Sequence, residues 1–299
     1  MKKNCLLCFL LFFSCHSALA GESLDSLLNV LDKTIKEADT YVQIKENKLH
    51  ELKKEARKTP PFSVERYNLN NDIYLEYKAY SSDSALHYLN ENMLLARQLN
   101  DKERELKIQL ELSYLLSSIG MYMEAADILN SIDRQTLPSS LLGHYYTCYE
   151  HVYFEAGAAQ PRYKMFASRY VKLSHAYRDS MQITLDPSSA TYLWLRETQL
   201  REAGKYDEAL ECSYRRLAES SFGTPQYALV AYQRFRLFES MGKKDEHLYY
   251  LVLSAISDVR SAIKEQSSLM VLAQELNSKG DLKRAYDYIN FSWEISQFY

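Results

Sequence analysis

Five glycines recur at nearly equal intervals from the middle of the chain onward. They are Gly120, Gly157, Gly204, Gly242 and Gly280, so the steps between them are 37, 47, 38 and 38 residues. Glycine is unfavourable inside a helix and readily adopts the left-handed backbone that ends one, so evenly spaced glycines indicate evenly spaced helix ends. Steps of this size are typical of stacked two-helix units, with about ten extra residues in the 47-residue interval, which we place around 181–190.

Three of these glycines begin the same six-residue pattern, in which a large apolar residue stands third and Ala stands sixth. The copies are Gly120, Tyr122 and Ala125; Gly204, Tyr206 and Ala209; and Gly280, Leu282 and Ala285. We expect the glycine to end the first helix of a pair, the large residue to fill the gap at the bend, and the small alanine to let the second helix approach closely. Gly157 and Gly242 lack the rest of the pattern, which predicts degenerate units there.

The segments around these turns carry apolar residues at helical spacing, and all six prolines lie between them. An earlier unit pairs 64–80 with 83–99. Ahead of it, 22–58 begins apolar and becomes strongly charged, which predicts one long or broken helix that caps the array. We therefore divide the chain into a capping region at 21–60 and an array of about five to six hairpins over 61–299.

The first twenty residues have the form of an export signal. Two lysines precede an apolar run from Cys5 to Cys15, and a small-x-small sequence ends at Ala20. The eleven-residue run is shorter than the ~20 residues that span a bilayer. We expect a signal peptide at 1–20, cleaved after Ala20, and an exported, periplasmic chain without a membrane span. Lipidation at Cys15 is the alternative.

The Gly-x-[Tyr/Leu]-x-x-Ala turn resembles that of the tetratricopeptide repeat family, whose unit has 34 residues. This resemblance implies an all-α fold, a right-handed superhelical solenoid of tetratricopeptide-like helix hairpins. With the export signal, the segment 24–36 and the closing stretch 280–289, the whole chain is similar to the periplasmic sensory half of gut-bacterial membrane-spanning transcriptional regulators. In that family a transmembrane helix, a coiled coil and a cytoplasmic regulatory domain follow the repeats. The resemblance therefore implies an array truncated at its carboxyl end.

Composition and motifs argue against several function classes. Hydrophobic residues make up 46% of the chain and charged residues 25%, which is typical of a folded globular protein. A net charge of −3 gives no sign of the basic face that nucleic acids require, so we expect no nucleic-acid binding through this segment. The motifs of serine hydrolases, P-loop proteins, zinc proteases and Cys-x-x-Cys redox proteins are missing, so we expect no enzyme and no cofactor.

One stripe of metal-ligand residue types occurs on a predicted helix. His144, Cys148, His151 and Glu155 follow one another at helical spacing. The two histidines would stand about 10 Å apart along the axis, too far to bind one ion through bonds of about 2 Å. We therefore interpret the stripe as a packed helix face and expect no metal. Cys148 and Cys212 are predicted to be two separate thiols, although a disulfide is the alternative in an oxidising compartment.

Tyrosine is unusually frequent, at 25 residues. Stacked repeats curve, and aromatic side chains on the concave face form a groove in which a peptide or a sugar can lie. The candidate groove residues are Tyr145, Tyr149, Tyr153, Tyr192 and Arg196; the alternative is that tyrosines fill gaps between helices. The predicted function is a sensor or interaction solenoid with a protein, peptide or glycan partner. The alternative is an outer-membrane-associated lipoprotein that binds glycans or peptides.

Overall fold

The computed structural model describes residues 23–159, 162–264 and 266–296. The predicted export signal and Cys15 lie outside these ranges. Within them the chain forms fourteen α-helices and no strand, which confirms the all-α solenoid of hairpins. The helices are α1 Leu24–Lys36, α2 Ala38–Lys58, α3 Val64–Tyr77, α4 Ser82–Gln98, α5 Lys102–Ser118, α6 Tyr122–Ser131, α7 Ser139–Ala158, α8 Lys164–Thr184, α9 Ala190–Glu202, α10 Tyr206–Ala218, α11 Pro225–Ser240, α12 Lys244–Arg260, α13 Ser267–Ser278 and α14 Leu282–Ser296.

From α3 onward the helices pair into six hairpins, α3–α4 through α13–α14, and each hairpin packs against the next. The extra residues of the 47-residue interval are not confined to an insertion at 181–190, where we placed them. They lengthen the third hairpin instead, because α7 has 20 residues and α8 has 21. None of the described helices combines the length and the apolar character that crossing a bilayer requires.

Side chains cap the first turns of several helices and so specify where they begin. The hydroxyls of Ser63, Ser81, Ser189 and Thr224 and the carboxylate of Asp101 accept hydrogen bonds from backbone N–H groups of the turns that follow. Such caps satisfy donors that have no partner within the helix, and each contributes about 1 kcal/mol. The boundaries are therefore encoded locally.

The predicted turn pattern is present in all three copies, with one exception at its large residue. Gly120, Gly204 and Gly280 have φ values of +88°, +73° and +88°, and the alanines Ala125, Ala209 and Ala285 are buried. Tyr122 and Tyr206 are half-buried, whereas Leu282 is 63% exposed and fills no gap. The reason is that no described helix packs against that side of α14.

Gly157 differs from the glycines that end helices. It lies inside α7, and a Cβ atom there would stand 3.4 Å from the Cβ of Tyr170 on α8. A Cβ atom would therefore make only an ordinary contact at this position. Gly157 lies one residue before the end of α7, as the spacing predicts, but it lacks the positive φ of the other glycines. Asn100, with a φ of 53°, has the helix-ending role between α4 and α5.

The amino-terminal region forms two helices that meet at Glu37, and α1 does not lie on the first hairpin. It packs against α12 and shares its core with the last two hairpins. The residues of that shared core include Leu27, Leu28, Leu31, Leu248, Leu251, Val252, Leu269, Leu272 and Tyr288. A second contact joins the two ends of the array, since the Lys264 amide donates to the Ala79 carbonyl at 3.3 Å. The array thus curves until its ends meet, and it surrounds a central chamber.

Candidate ligand-binding chamber

The central chamber consists of two cavities that meet at Lys78, Tyr114 and Leu229. The first, which we call the aromatic lobe, has a volume of about 480 Å³. Its lining includes Tyr114, Phe154 and Trp194, with the polar side chains of Thr147, Thr191, Arg216, Gln226 and Gln233. The second, the serine lobe, has a volume of about 650 Å³ and includes Ser82, Ser118, Ser254, Ser267 and Ser268. Volumes of this size are typical of small-molecule sites.

Glu111 on α5 organises the ionic contacts beside the aromatic lobe. Its carboxylate accepts hydrogen bonds from the Tyr74 hydroxyl at 2.6 Å and from the Lys78 ammonium at 3.2 Å. The Nε2 atom of His144 lies 3.7 Å from its other oxygen. Burial raises the pKa of Glu111, but the charges of Lys78 and His144 and the Tyr74 hydrogen bond outweigh burial, so the net pKa lies below its usual value. Glu111 is therefore ionised and neutralises Lys78.

His151 on α7 forms part of the wall next to Tyr114. The two rings stack with their centroids 4.0 Å apart, and Nε2 of His151 is hydrogen-bonded to the Ser118 hydroxyl at 2.9 Å. The Lys78 ammonium lies over the other ring of the pair, 4.5 Å from the centroid of Tyr114. Burial, and to a lesser degree the charge of Lys78, lowers the pKa of His151 to about 4. At neutral pH the imidazole is uncharged and presents a flat, polar edge.

Two buried ion pairs hold the helices that carry the lobe. Glu150 on α7 accepts a hydrogen bond from Arg178 on α8 at 2.8 Å and another from the Ser174 hydroxyl at 3.0 Å. Glu197 on α9 accepts one from Arg216 on α10 at 2.7 Å. Breaking such a pair on one side leaves a buried charge without its partner, which costs several kcal/mol. These pairs therefore set the positions of α7 to α10 around the lobe.

The predicted groove tyrosines lie on the opposite side of α7 from the chamber. Tyr145 and Tyr149 are buried, and Tyr149 stacks on Tyr177 of α8 with the ring centroids 4.6 Å apart. Tyr153 stacks on the same ring at 5.7 Å. These rings fill the interface between α7 and α8, which is the alternative that sequence analysis leaves open for tyrosine.

Tyr192 and Arg196 lie on α9 and are half-buried, but neither lines the aromatic lobe. Arg196 donates to the Gln199 side chain at 3.1 Å, one turn along the same helix. α9 contributes Thr191 and Trp194 to the lobe instead. The predicted residues therefore lie on two helices that line the lobe, but on other faces of them.

The metal-ligand stripe of α7 lines the chamber through its two histidines and Glu155, whereas Cys148 is buried. The Cys148 thiol donates to the Leu110 carbonyl at 3.4 Å, and burial raises its pKa. Across the described parts of the chain, no group of three or more His, Cys, Asp or Glu residues could hold a metal ion. Cys148 and Cys212 are both free thiols.

Sequence analysis did not identify Lys78, Glu111 or Arg216. Glu111 lies on α5 and Arg216 on α10, and Lys78 directly follows α3. The sequence does contain a pattern that marks the lobe-lining face of α7. His144, His151 and Glu155 line the lobe and belong to the stripe of metal-ligand residue types. Polar and imidazole side chains at helical spacing on a long helix indicate a face that meets a polar surface. That face is directed into the chamber.

Comparison with known proteins supports the repeat assignment. The chain matches the family model described as the SusR N-terminal TPR domain over residues 35–299. No curated protein matches the chain. The match covers the six hairpins and α2, and it begins near the end of α1. The helix pairs, the left-handed glycine turns and this match together show that the chain belongs to the SusR N-terminal TPR domain family.

Proposed function

We propose that this chain is a non-catalytic periplasmic sensor domain, the input part of a membrane-tethered transcriptional regulator. The observation that carries the proposal is the aromatic lobe, a cavity of about 480 Å³ on the inner side of a closed helical array. Sensor function requires a site that is large enough for a small molecule and that is connected to the rest of the fold. Family membership and the predicted export signal support the location and the regulatory role.

The lining of the lobe supports binding of a small polar molecule. Trp194 and Phe154 offer aromatic faces on which a sugar ring or a peptide side chain can stack. Thr191, Gln226 and Gln233 add hydroxyl and amide groups that can donate or accept hydrogen bonds. Such a combination of apolar faces with a few placed polar groups is typical of ligand sites.

The titratable groups around the lobe support a binding role rather than catalysis. Burial lowers the pKa values of His144 and His151, and the Cys148 thiol is buried with a raised pKa. A general base works best when its pKa is near the operating pH, and a cysteine nucleophile requires a lowered pKa. Glu111 is held in contacts with Tyr74 and Lys78. The proposal therefore assigns no catalytic residue.

Closure of the array supports coupling between the lobe and the end of the domain. α11 and α12 contribute to both the chamber and the core that α1 shares with the last hairpin. A ligand that changes the spacing of α7, α9 and α11 therefore acts on the helices that hold α14. In a membrane-tethered regulator this end of the domain is the one that precedes the membrane.

The chain's two tryptophans provide a direct test. Trp293→Phe leaves Trp194 as the sole tryptophan, so its fluorescence reports occupancy of the aromatic lobe. We expect a saturable fluorescence change on titration with one member of a panel of oligosaccharides and short peptides. Trp194→Ala should abolish binding in calorimetry, whereas Trp293→Ala, which changes an exposed residue, should leave it unchanged. Equal affinity of the two alanine variants would contradict the proposal.

Mass spectrometry of the mature amino terminus tests the location. Cleavage after Ala20 is the expected result. An acylated Cys15 would favour the outer-membrane lipoprotein instead.

A further inference from the structure

We propose that the aromatic lobe contains a carboxylate subsite at Arg216, with Gln233 beside it as an acceptor for a hydroxyl group, and that its ligand is an acidic, uronate-containing saccharide. This inference rests on the proposed function and deepens it. Both residues line the lobe, one on α10 and the other on α11. Each has a buried polar atom with no hydrogen-bond partner among the described residues: Nε of Arg216 and Oε1 of Gln233. A donor and an acceptor without partners thus belong to two side chains that border one cavity.

The charges beneath the lobe do not balance. Arg216 is only 3% exposed, and its Nη1 atom donates to Glu197. Arg234 is fully buried nearby, and it donates to the Ser213 hydroxyl at 3.3 Å and to the Tyr250 hydroxyl at 3.1 Å. No carboxylate of the described chain lies within ion-pair distance of Arg234. Two buried guanidinium groups therefore share a single carboxylate.

The surroundings of Glu197 increase the imbalance. Burial raises the pKa of Glu197 more than the charges of Arg216 and Arg234 lower it. The rings of Tyr214 and Tyr250 lie 4.3 and 4.4 Å from the Arg234 guanidinium and stabilise the cation without neutralising it. Burial of an uncompensated charge is costly, so an added anion at this place is favoured.

A neighbouring pair in the same array shows how the chain satisfies a buried arginine elsewhere. Arg178 contacts two carboxylates, Glu150 at 2.8 Å and Glu202 at 3.1 Å. None of its nitrogens is a buried atom without a partner, in contrast to Nε of Arg216. The two arginines differ in one further respect: Arg216 borders the aromatic lobe and Arg178 does not.

The rest of the lobe fits a sugar ring that carries the carboxylate. A guanidinium group binds a carboxylate through two parallel hydrogen bonds. Trp194 and Phe154 provide aromatic faces on the same cavity, and the Gln233 amide oxygen can accept a hydrogen bond from a sugar hydroxyl. Two carboxylates line the lobe. Glu150 accepts from Arg178 and Ser174, and Glu155 lies 3.9 Å from Nδ1 of His151.

The test compares acidic and neutral saccharides of equal length by calorimetry and by Trp194 fluorescence. Oligogalacturonates and galacto-oligosaccharides form the pair, and a dipeptide with a free terminal carboxylate is the third probe. We expect the uronate to bind about 10- to 100-fold more tightly than the neutral sugar, because hydrogen bonds between charged groups are the stronger ones. We expect this preference to shrink with added salt.

Variants separate the subsite from the structural role of the ion pair. Glu197→Gln removes the carboxylate that competes for Arg216, so uronate affinity should rise several-fold while neutral-sugar affinity stays unchanged. The double variant Arg216→Gln with Glu197→Gln replaces both buried charges by neutral groups of similar shape and should abolish the preference. Arg215→Gln, which removes the same charge from an exposed neighbour, is the control. Thermal unfolding of each variant verifies that it is folded.

The outcomes distinguish this inference from the proposed function. Neutral sugars that bind as tightly as uronates, or a double variant that retains the preference, would overturn the carboxylate subsite and leave the sensor role intact. Binding of the dipeptide in place of the uronate would overturn the saccharide class. Failure of every probe to change Trp194 fluorescence would count against both proposals.

Discussion

Arg284 on α14 donates through Nε to the Asp32 carboxylate on α1 at 3.0 Å, although 252 residues separate them along the chain. The same guanidinium group donates to the Asn29 amide oxygen at 2.7 Å, and the Tyr288 hydroxyl donates to the other oxygen of Asp32 at 2.7 Å. These bonds surround the apolar contact between α1 and the last hairpins. They convert an open array of hairpins into one whose two ends are joined.

Arg284→Met should weaken this junction. We expect the free energy of unfolding, measured with urea, to fall by about 2 kcal/mol, because hydrogen bonds to charged groups contribute roughly 1.5–3 kcal/mol and Asp32 loses its cation. Arg236→Met is the matched control, since the Arg236 pair with Glu239 is half exposed and lies within one helix; such pairs contribute less than about 0.5 kcal/mol. Amide exchange in α1 should accelerate only in the first variant. Similar decreases in the free energy of unfolding for both variants would contradict a stabilising contact between α1 and α14.

His151 should make stability depend on pH between 6.5 and about 4. The pKa is about 4 in the folded chain and 6.5 in the reference state, so the unfolded chain binds the proton more tightly. The stabilisation that comes from the neutral imidazole is fully present above pH 6.5. As the pH falls to about 4, the free energy of unfolding decreases by about 3 kcal/mol. His151→Phe keeps a ring to stack on Tyr114 and should remove this part of the slope. Unfolding curves at several pH values measure it, with His50→Gln, at an exposed site, as the control. Unchanged slopes in both variants would be inconsistent with a neutral, buried His151.

The same glycine substitution should have opposite effects at two positions. Gly280→Ala places a Cβ in open space but on a backbone with a φ of +88°, so we expect a loss of about 1 kcal/mol. Gly157→Ala lies inside α7 and makes an ordinary contact with Tyr170, so the gain in helix propensity should leave stability equal or slightly higher.

Gly280→Asn is a further control for the backbone argument. Asn tolerates the left-handed region, and Asn100 already adopts it between α4 and α5, so this variant should lose less than Gly280→Ala. Thermal unfolding compares the three variants. A loss at Gly157 as large as that at Gly280 would mean that both glycines end helices.

Arg178→Met should cost about 3–5 kcal/mol, since it leaves the Glu150 carboxylate buried without its cation. Adding Glu150→Gln should restore much of the loss, because the remaining group is neutral and still accepts from Ser174. A double-mutant cycle by urea unfolding measures the coupling. Additive losses would show that the two residues do not depend on each other.

Local patterns in the sequence are sufficient for the hairpins and most of their turns. Gly120, Gly204 and Gly280 adopt left-handed backbones as their pattern predicts, because helix ends depend on residues within one turn of each other. Gly157 shows where the pattern fails. Its spacing correctly places it beside the end of α7, but it keeps a helical backbone and does not form the left-handed turn.

The chamber depends on contacts between residues that are far apart in the chain. The spacing of residues within one helix does not predict these contacts. Tyr149 and His151 are two residues apart on α7, yet one packs into the α8 interface and the other faces the chamber. Which face of α7 becomes part of the core depends on the helix that packs against that face. The closure by Arg284 and Asp32 depends on the accumulated curvature of six hairpins, each of which adds a small rotation. The sequence therefore accounts for the units, and only their packing creates the chamber.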